Sequence, residues 1–89
     1  DDATVQSFQS QIIPEEFNAK INEMAFVMKV QIALKQFGYG ITETGVWDDA
    51  TKKTIEAFQY HFRPQNYDGK IDIETWAILQ ALIQKYPNK

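Results

Sequence analysis

The chain contains no cysteine. That removes disulfide staples and thiolate metal sites, without by itself fixing a compartment. It has one histidine, His61, whereas a hydrolytic metal centre needs three or four His, Cys or carboxylate ligands. His61 sits inside an expected helix, with Lys53 and Arg63 as charged sequence neighbours, and reads as a surface or helix-end residue. The two serines, Ser7 and Ser10, lie in a weakly patterned N-terminus, which does not suggest an activated nucleophile. No apolar run approaches the ~20 residues of a membrane span. Positive charge is not in excess: the net charge is −3 and the pI about 5.0, which argues against a nucleic-acid partner. There is no glycine-rich phosphate loop, since Gly38-Tyr39-Gly40 reads as a helix stop. The chain opens on Asp1-Asp2, with no initiator Met and no basic-then-apolar leader, as expected of a mature product or an excised domain.

What the chain does have is enough apolar material for one small core. Its 89 residues are 44% hydrophobic and 13% aromatic, which suits a single folded domain rather than a disordered segment. Its clearest internal order is a repeat. Gly45-Val46-Trp47-Asp48-Asp49-Ala50-Thr51 returns as Gly69-Lys70-Ile71-Asp72-Ile73-Glu74-Thr75. The frame is Gly, any residue, a large apolar residue, Asp, two residues, Thr. Each copy reads as a turn that launches a helix: Gly for positive φ, Asp as N-cap, and Thr at the third helical position, able to return a weak capping-box bond. The carboxylate pairs Asp48/Asp49 and Asp72/Glu74 fall in these first turns, where capping and the helix dipole account for them without catalysis. Set on a calcium-loop frame, the second copy has Pro64 at the first ligand position and Thr75 at the bidentate acid position, so it is not a calcium site.

Hydrophobic periodicity predicts an all-α fold: a small three-helix bundle, at about 24–37, 48–62 and 72–86, with an additional N-terminal helical segment. Val27, Val30, Gln31, Leu34 and Phe37 share one face of the first helix, which ends at Gly38. Ile55, Phe58 and Phe62 make the face of the second, which Pro64 terminates. Thr75, Ile78, Leu79, Leu82 and Tyr86 line the third, with Pro87 closing it. Pro14-Glu15-Glu16 looks like an earlier helix start. Periodicity leaves open whether residues 15–37 form one helix or two joined near 22–25. Residues 1–22 are expected to be a linker or N-terminal helical segment, and residues 23–89 the domain proper.

Three blocks then resemble one family. Val27-Met28-Lys29-Val30-Gln31-Ile32-Ala33-Leu34-Lys35-Gln36-Phe37-Gly38-Tyr39 is similar to the V-x-x-L-Q-x-x-L-x-x-L-G-Y helix of the peptidoglycan-binding type 1 domain. Gly45 to Thr51 with Ile55-Glu56-Ala57-Phe58-Gln59 resembles its G-x-F-D-x-x-T and A-V-x-x-F-Q block. Asp68-Gly69-Lys70-Ile71-Asp72-Ile73-Glu74-Thr75-Trp76-Ala77-Ile78-Leu79 resembles its D-G-x-V-G-x-x-T-W-x-x-L block. The likeness spans about residues 27–82. The family's Gly-Leu pair after Phe-Gln is replaced here by Tyr60-His61-Phe62-Arg63-Pro64. That run, together with Leu82-Ile83-Gln84-Lys85-Tyr86, is similar to the C-terminal domain of zinc-dependent N-acetylmuramoyl-L-alanine amidases of the second amidase family.

The resemblance implies a non-catalytic wall-binding module, with no cofactor, no catalytic residue and no metal site of its own. Its partners would be peptidoglycan, through glycan or stem peptide, and an attached zinc amidase domain; it would be a monomer in the bacterial cell envelope, in the periplasm or at the cell surface. A groove for such a ligand needs aromatic faces and a few fixed polar groups. The candidates are Tyr39, Gln59, Arg63, Tyr67 and Asp68, in and beside the two inter-helix loops. Arg63 would pair with a carboxylate; Tyr39 and Tyr67 would stack on sugar or acyl groups. The structural alternatives are that Tyr39 covers the end of the first helix and Arg63 caps carbonyls of the second. Trp47 and Trp76 are expected at the core or its edge. The rival reading is a protein–protein docking module, which an exposed apolar patch of Phe8, Ile12, Ile13 and Phe17 would favour.

Overall fold

The computed structural model describes residues 2–85. Those residues form five helices: α1 (Asp2–Gln11), α2 (Pro14–Lys20), α3 (Met24–Phe37), α4 (Asp49–Phe62) and α5 (Ile73–Lys85), with no strand among the described residues. The all-α expectation holds, and α3, α4 and α5 are the three helices of the bundle. The expected contributions of Tyr86 and Pro87 lie outside the described residues. Residues 15–37 are two helices rather than one. Pro14 opens α2 with Glu15 and Glu16 in its first turn, and the chain turns at Ile21–Glu23 before α3 begins without a side-chain cap. None of the described helices is long and apolar enough to cross a membrane.

The core is built by Val30, Ala33 and Leu34 of α3, Ile55 and Phe58 of α4, and Leu79 of α5, closed by Phe17, Ile41 and Ile71. At one end Phe37, Tyr39, Phe58 and Phe62 form an aromatic cluster, with centroid separations of 4.8 Å to 6.3 Å. At another, Phe26 links Phe17 of α2 to Trp76 of α5 through edge-on contacts at 5.5 Å and 5.3 Å. The N-terminal segment is thus packed onto the bundle: α1 lies along α5, Phe17 is 6% exposed, and Ile12 packs against the core. Trp47 and Trp76 are both at the core edge, as expected.

The stops of α3 and α4 have local causes. At the end of α3 the Gly38 and Tyr39 N–H groups donate to the Lys35 and Leu34 carbonyls, the paired bonds of a Schellman stop, with Gly38 at φ 121°. Arg63 leaves the helical region ahead of Pro64, at φ −151° and ψ 64°. Gly45 and Gly69 have φ of 76° and 75°, so the two copies of the repeat make the same turn. A Cβ on Gly69 would also lie 3.1 Å from the Lys52 carbonyl oxygen, so this turn has neither the dihedral nor the room for a side chain.

The two turns are held by a network that also repeats. The Gln31 amide oxygen accepts from the Gly45 N–H at 2.9 Å, while its Nε2 donates to the Val46 carbonyl at 3.1 Å and to the Thr51 hydroxyl oxygen at 2.9 Å. The Gln59 amide oxygen accepts from the Gly69 N–H at 2.8 Å, and its Nε2 donates to the Lys70 carbonyl at 2.8 Å and to Thr75 Oγ1 at 3.1 Å. Both glutamines, and both threonines, are at most 2% exposed. Asp48 caps α4 by accepting from the Thr51 N–H, and Asp72 accepts from the Thr75 N–H in the same way. The threonine hydroxyl does not return a bond to the cap's backbone. Thr51 Oγ1 donates instead to the Asp48 carboxylate at 2.6 Å and accepts from the glutamine, linking cap to turn.

These bonds set the aspartate ionisation. Hydrogen bonds from the Thr51 hydroxyl and N–H, with help from Thr44, hold the Asp48 carboxyl below its ordinary value. Partial burial pushes Asp72 up, but its bonds from Thr75 and from Arg63 outweigh that and the net direction is down. A carboxyl lowered in the folded state contributes stability that is fully present above the unfolded value of about 3.9 and is lost as pH falls through the folded value.

Two outcomes follow from this network. Replacing Gln59 by Ala strands the Gly69 N–H and Lys70 C=O in a buried site and is expected to cost about 2–4 kcal/mol in urea denaturation, with Gln31→Ala showing a similar loss. Stability of the native protein is expected to fall progressively below about pH 4. Asp72→Asn, which keeps an oxygen for the Thr75 N–H, should be less stable at pH 7 and should show a flatter acid limb, read from urea midpoints between pH 7 and pH 2.

Candidate functional site

The loop from Arg63 to Ile71 is where four of the five sequence candidates converge. Gln59 comes from the last turn of α4, Arg63 from the C-cap that follows it, and Tyr67 and Asp68 from the loop itself. Pro64 prevents helix continuation, and the Asn66 N–H closes a turn back to the Arg63 carbonyl at 3.1 Å. Arg63 then secures the loop to the start of α5. Its Nε donates to the Asn66 carbonyl at 2.9 Å, and its Nη1 donates to Asp72 at 2.9 and 3.0 Å and to Glu74 at 2.8 Å. The Arg63 side chain is only 11% exposed. Burial pulls its ionisation down, but Glu74 and Asp72 outweigh that, so the guanidinium is held charged.

The candidates therefore divide. Gln59 is 1% exposed with its amide used on both sides by the turn; it shapes the loop from beneath and presents nothing to a ligand. The Arg63 side chain is engaged by two carboxylates and the Asn66 carbonyl rather than by carbonyls of α4, which braces the loop, while its buried Nη2 has no hydrogen-bond partner. Tyr67 is 46% exposed, and Asp68 is exposed, with Oδ1 accepting from the Lys70 N–H at 3.0 Å. Tyr39 shares no hydrogen bond, ion pair or ring contact with these four. Its ring lies against Phe37 and Phe58, so it covers the end of α3, and burial raises its phenol pKa.

Tyr60 is the surface residue that sequence reasoning missed. It is 61% exposed and meets Tyr67 edge-to-face, with centroids 4.9 Å apart. The signal was present: a tyrosine between the buried Gln59 and the partly buried Phe62 points off the apolar face of α4. Tyr60, Tyr67 and Asp68 thus give an aromatic pair beside a carboxylate, on a loop fixed by Gln59 and Arg63.

On the other side of Gly69 the surface is concave. A cleft of about 420 Å³ is lined by Ile21, Asn22, Trp47, Lys52, Gly69, Lys70 and Ile71. The Trp47 indole N–H is used inward, donating to the Ile21 carbonyl at 2.9 Å, so Trp47 offers the cleft its ring rather than its donor. A neighbouring hollow of about 400 Å³ reaches Phe17, Arg63, Asp72 and Glu74. A further hollow of about 690 Å³ lies between α1 and α5, with Phe8, Ala81 and Lys85 in its lining. Among the described residues no group of His, Cys, Asp and Glu is placed to hold a metal ion.

Comparison with known proteins bears on the same segment. The family model of the peptidoglycan binding domain, PG_binding_1, matches residues 23–79. N-acetylmuramoyl-L-alanine amidase AmiD of Escherichia coli (strain K12) is 42% identical over 53 residues, which is 60% of this chain and 19% of the amidase. The chain therefore corresponds to about a fifth of that relative's length. No solved structure matches it. With α3, α4, the first half of α5 and both glutamine-held turns inside the matched span, the chain belongs to the peptidoglycan binding domain family.

Proposed function

We propose that this chain is a non-catalytic module that binds peptidoglycan and holds an attached N-acetylmuramoyl-L-alanine amidase domain against the wall of a bacterial cell envelope. The observation that carries the reading to a surface is the exposed Tyr60–Tyr67 pair beside Asp68, on a loop that Gln59 and Arg63 keep rigid. A pyranose ring has apolar C–H faces and polar edges. An aromatic ring takes the face, and a carboxylate at its margin accepts from hydroxyl or amide groups. Preorganisation matters because a loop ordered only on binding would spend part of the contact energy on that ordering. The link to an amidase rests on the relative, whose remaining four-fifths this chain does not cover.

The affinity required is small. A wall polymer repeats its unit many times, and a tethered module raises the local concentration of whatever it is attached to, so roughly millimolar binding suffices. The docking alternative needed an apolar N-terminal face. The structure uses most of that face internally: Phe17 is buried, Phe8 and Ile12 are half-buried, and Ile13 alone of the four is exposed.

The test is co-sedimentation of the chain with purified insoluble peptidoglycan. Binding above a control protein is expected, and Tyr60→Ala/Tyr67→Ala should reduce the bound fraction at least about fivefold, since each stacking ring contributes on the order of 1 kcal/mol, with little change in Tm. Arg63→Ala is expected to lower stability by about 1–3 kcal/mol by releasing the loop from Asp72, so its binding loss should track unfolding. No sedimentation at any ionic strength would overturn the reading in favour of docking. Amidase activity is expected to be absent with or without zinc.

A further inference from the structure

The cleft behind Gly69 has a chemistry different from the Tyr60–Tyr67 face. Its floor is apolar, made by Ile21, Ile71 and the Trp47 ring, and Asn22 supplies an amide. Its two charged lining residues are both cationic, Lys52 and Lys70. Both are exposed, and neither takes part in any of the ion pairs among the described residues. Their backbones are nonetheless fixed. The Lys52 N–H donates to the Asp48 carbonyl, and Lys70 is held on both sides, by Asp68 through its N–H and by Gln59 through its C=O. In a protein of net charge −3, two exposed lysines in the lining of one apolar cleft, outside the ion pairs among the described residues, favour an anion attached to an apolar body.

We infer that this cleft receives the stem peptide of peptidoglycan, with a free carboxylate of the peptide against Lys52 and Lys70 and its aliphatic side chains on Trp47 and Ile71. The inference rests on the wall-binding reading and sharpens it. The N-acetylated sugars of the glycan are neutral where the lactyl carboxyl is amide-linked to the peptide, so charge complementarity selects the peptide and not the strand. The turn at Gly69 then separates two functions: rings and a carboxylate for sugar on the Tyr67–Asp68 side, cations and an indole for peptide on the Lys70–Ile71 side. The lysines are solvated, so the contribution is modest and screened by salt.

The experiment is an NMR titration of the chain with a synthetic stem pentapeptide carrying free carboxylates, read at the Trp47 indole N–H, alongside co-sedimentation with insoluble peptidoglycan. The same peptide with its carboxylates amidated and a neutral N-acetylglucosamine oligomer are the comparison probes. The free peptide should shift the Trp47 resonance. Lys52→Gln/Lys70→Gln should weaken that binding roughly five- to tenfold, as should amidation, whereas Lys53→Gln should not. If the wild type sediments with peptidoglycan but the free peptide binds no better than the amidated one, or the double variant binds it equally well, the cleft assignment is overturned and the wall-binding reading stands. If the wild type does not sediment at all, both fall.

Discussion

A single side-chain amide, used twice, fixes this structure. Gln31 and Gln59 each close a glycine turn by accepting from its N–H and donating to the carbonyl one residue on and to the threonine inside the next helix. An amide is the side chain suited to this, since it carries an acceptor and two donors on one rigid plane. Each glutamine supplies to a buried turn the backbone partners that a turn cannot supply to itself. Removing water from the site makes the satisfied network strong and any gap in it expensive. The two connections differ in length, with 14 residues from Gln31 to Gly45 but 10 from Gln59 to Gly69, yet they end in glycines of matching φ. The pin, not the loop length, defines the turn.

What the residues announced in advance was mostly local. Asp48 and Asp72 were legible as caps because an N-cap depends on a few residues in sequence. The stops at Gly38 and Pro64 were legible for the same reason. The glutamines were not. Gln31 was placed on the apolar face of its helix with no role given to it, and Gln59 was placed among the ligand contacts, because a pattern of apolar positions cannot say what an inward-facing amide meets 10 or 14 residues away. The recurring Gln before each Gly-x-apolar-Asp-x-x-Thr unit was the available signal. The partners of Arg63 were not legible for a related reason: Asp72 and Glu74 lie beyond the loop at the start of the next helix, and a cation in a loop looks equally ready for a ligand or for a carboxylate of its own chain. The N-terminal segment was ambiguous because α1 and α2 are short and weakly patterned, and their place is decided by Phe17 and by packing along α5 rather than by propensity.

The division between support and surface follows from the same network. Three side chains of each copy are consumed in holding the turn: Gln, Asp and Thr, by hydrogen bonds. The positions left over are those whose side chains leave the turn, and there the copies diverge. Val46, 55% exposed, corresponds to Lys70; Trp47, at the core edge, corresponds to Ile71, which is in the core. Since the pinned residues are shared and the free ones are not, the fold can keep its stability while the free positions take on different chemistry. Here they place an indole from the first turn and a lysine from the second around one cleft.

Rigid support also limits how such a surface binds. With the Gly69 N–H, the Lys70 carbonyl and the Asn66 carbonyl already engaged, the loop has no slack with which to close over a ligand. On the proposed reading, contact falls to what already projects, namely two tyrosine rings, a carboxylate and two lysines. Each contributes on the order of 1 kcal/mol or less, and little of that is lost to ordering. On the proposed wall-binding reading, contact with one wall unit is then weak and readily reversed, and many identical units within reach of a tether would keep an attached domain near the polymer. A module of this kind favours movement along the wall over residence at one point. The same buried amides that stabilise the fold therefore set the kind of binding it can offer.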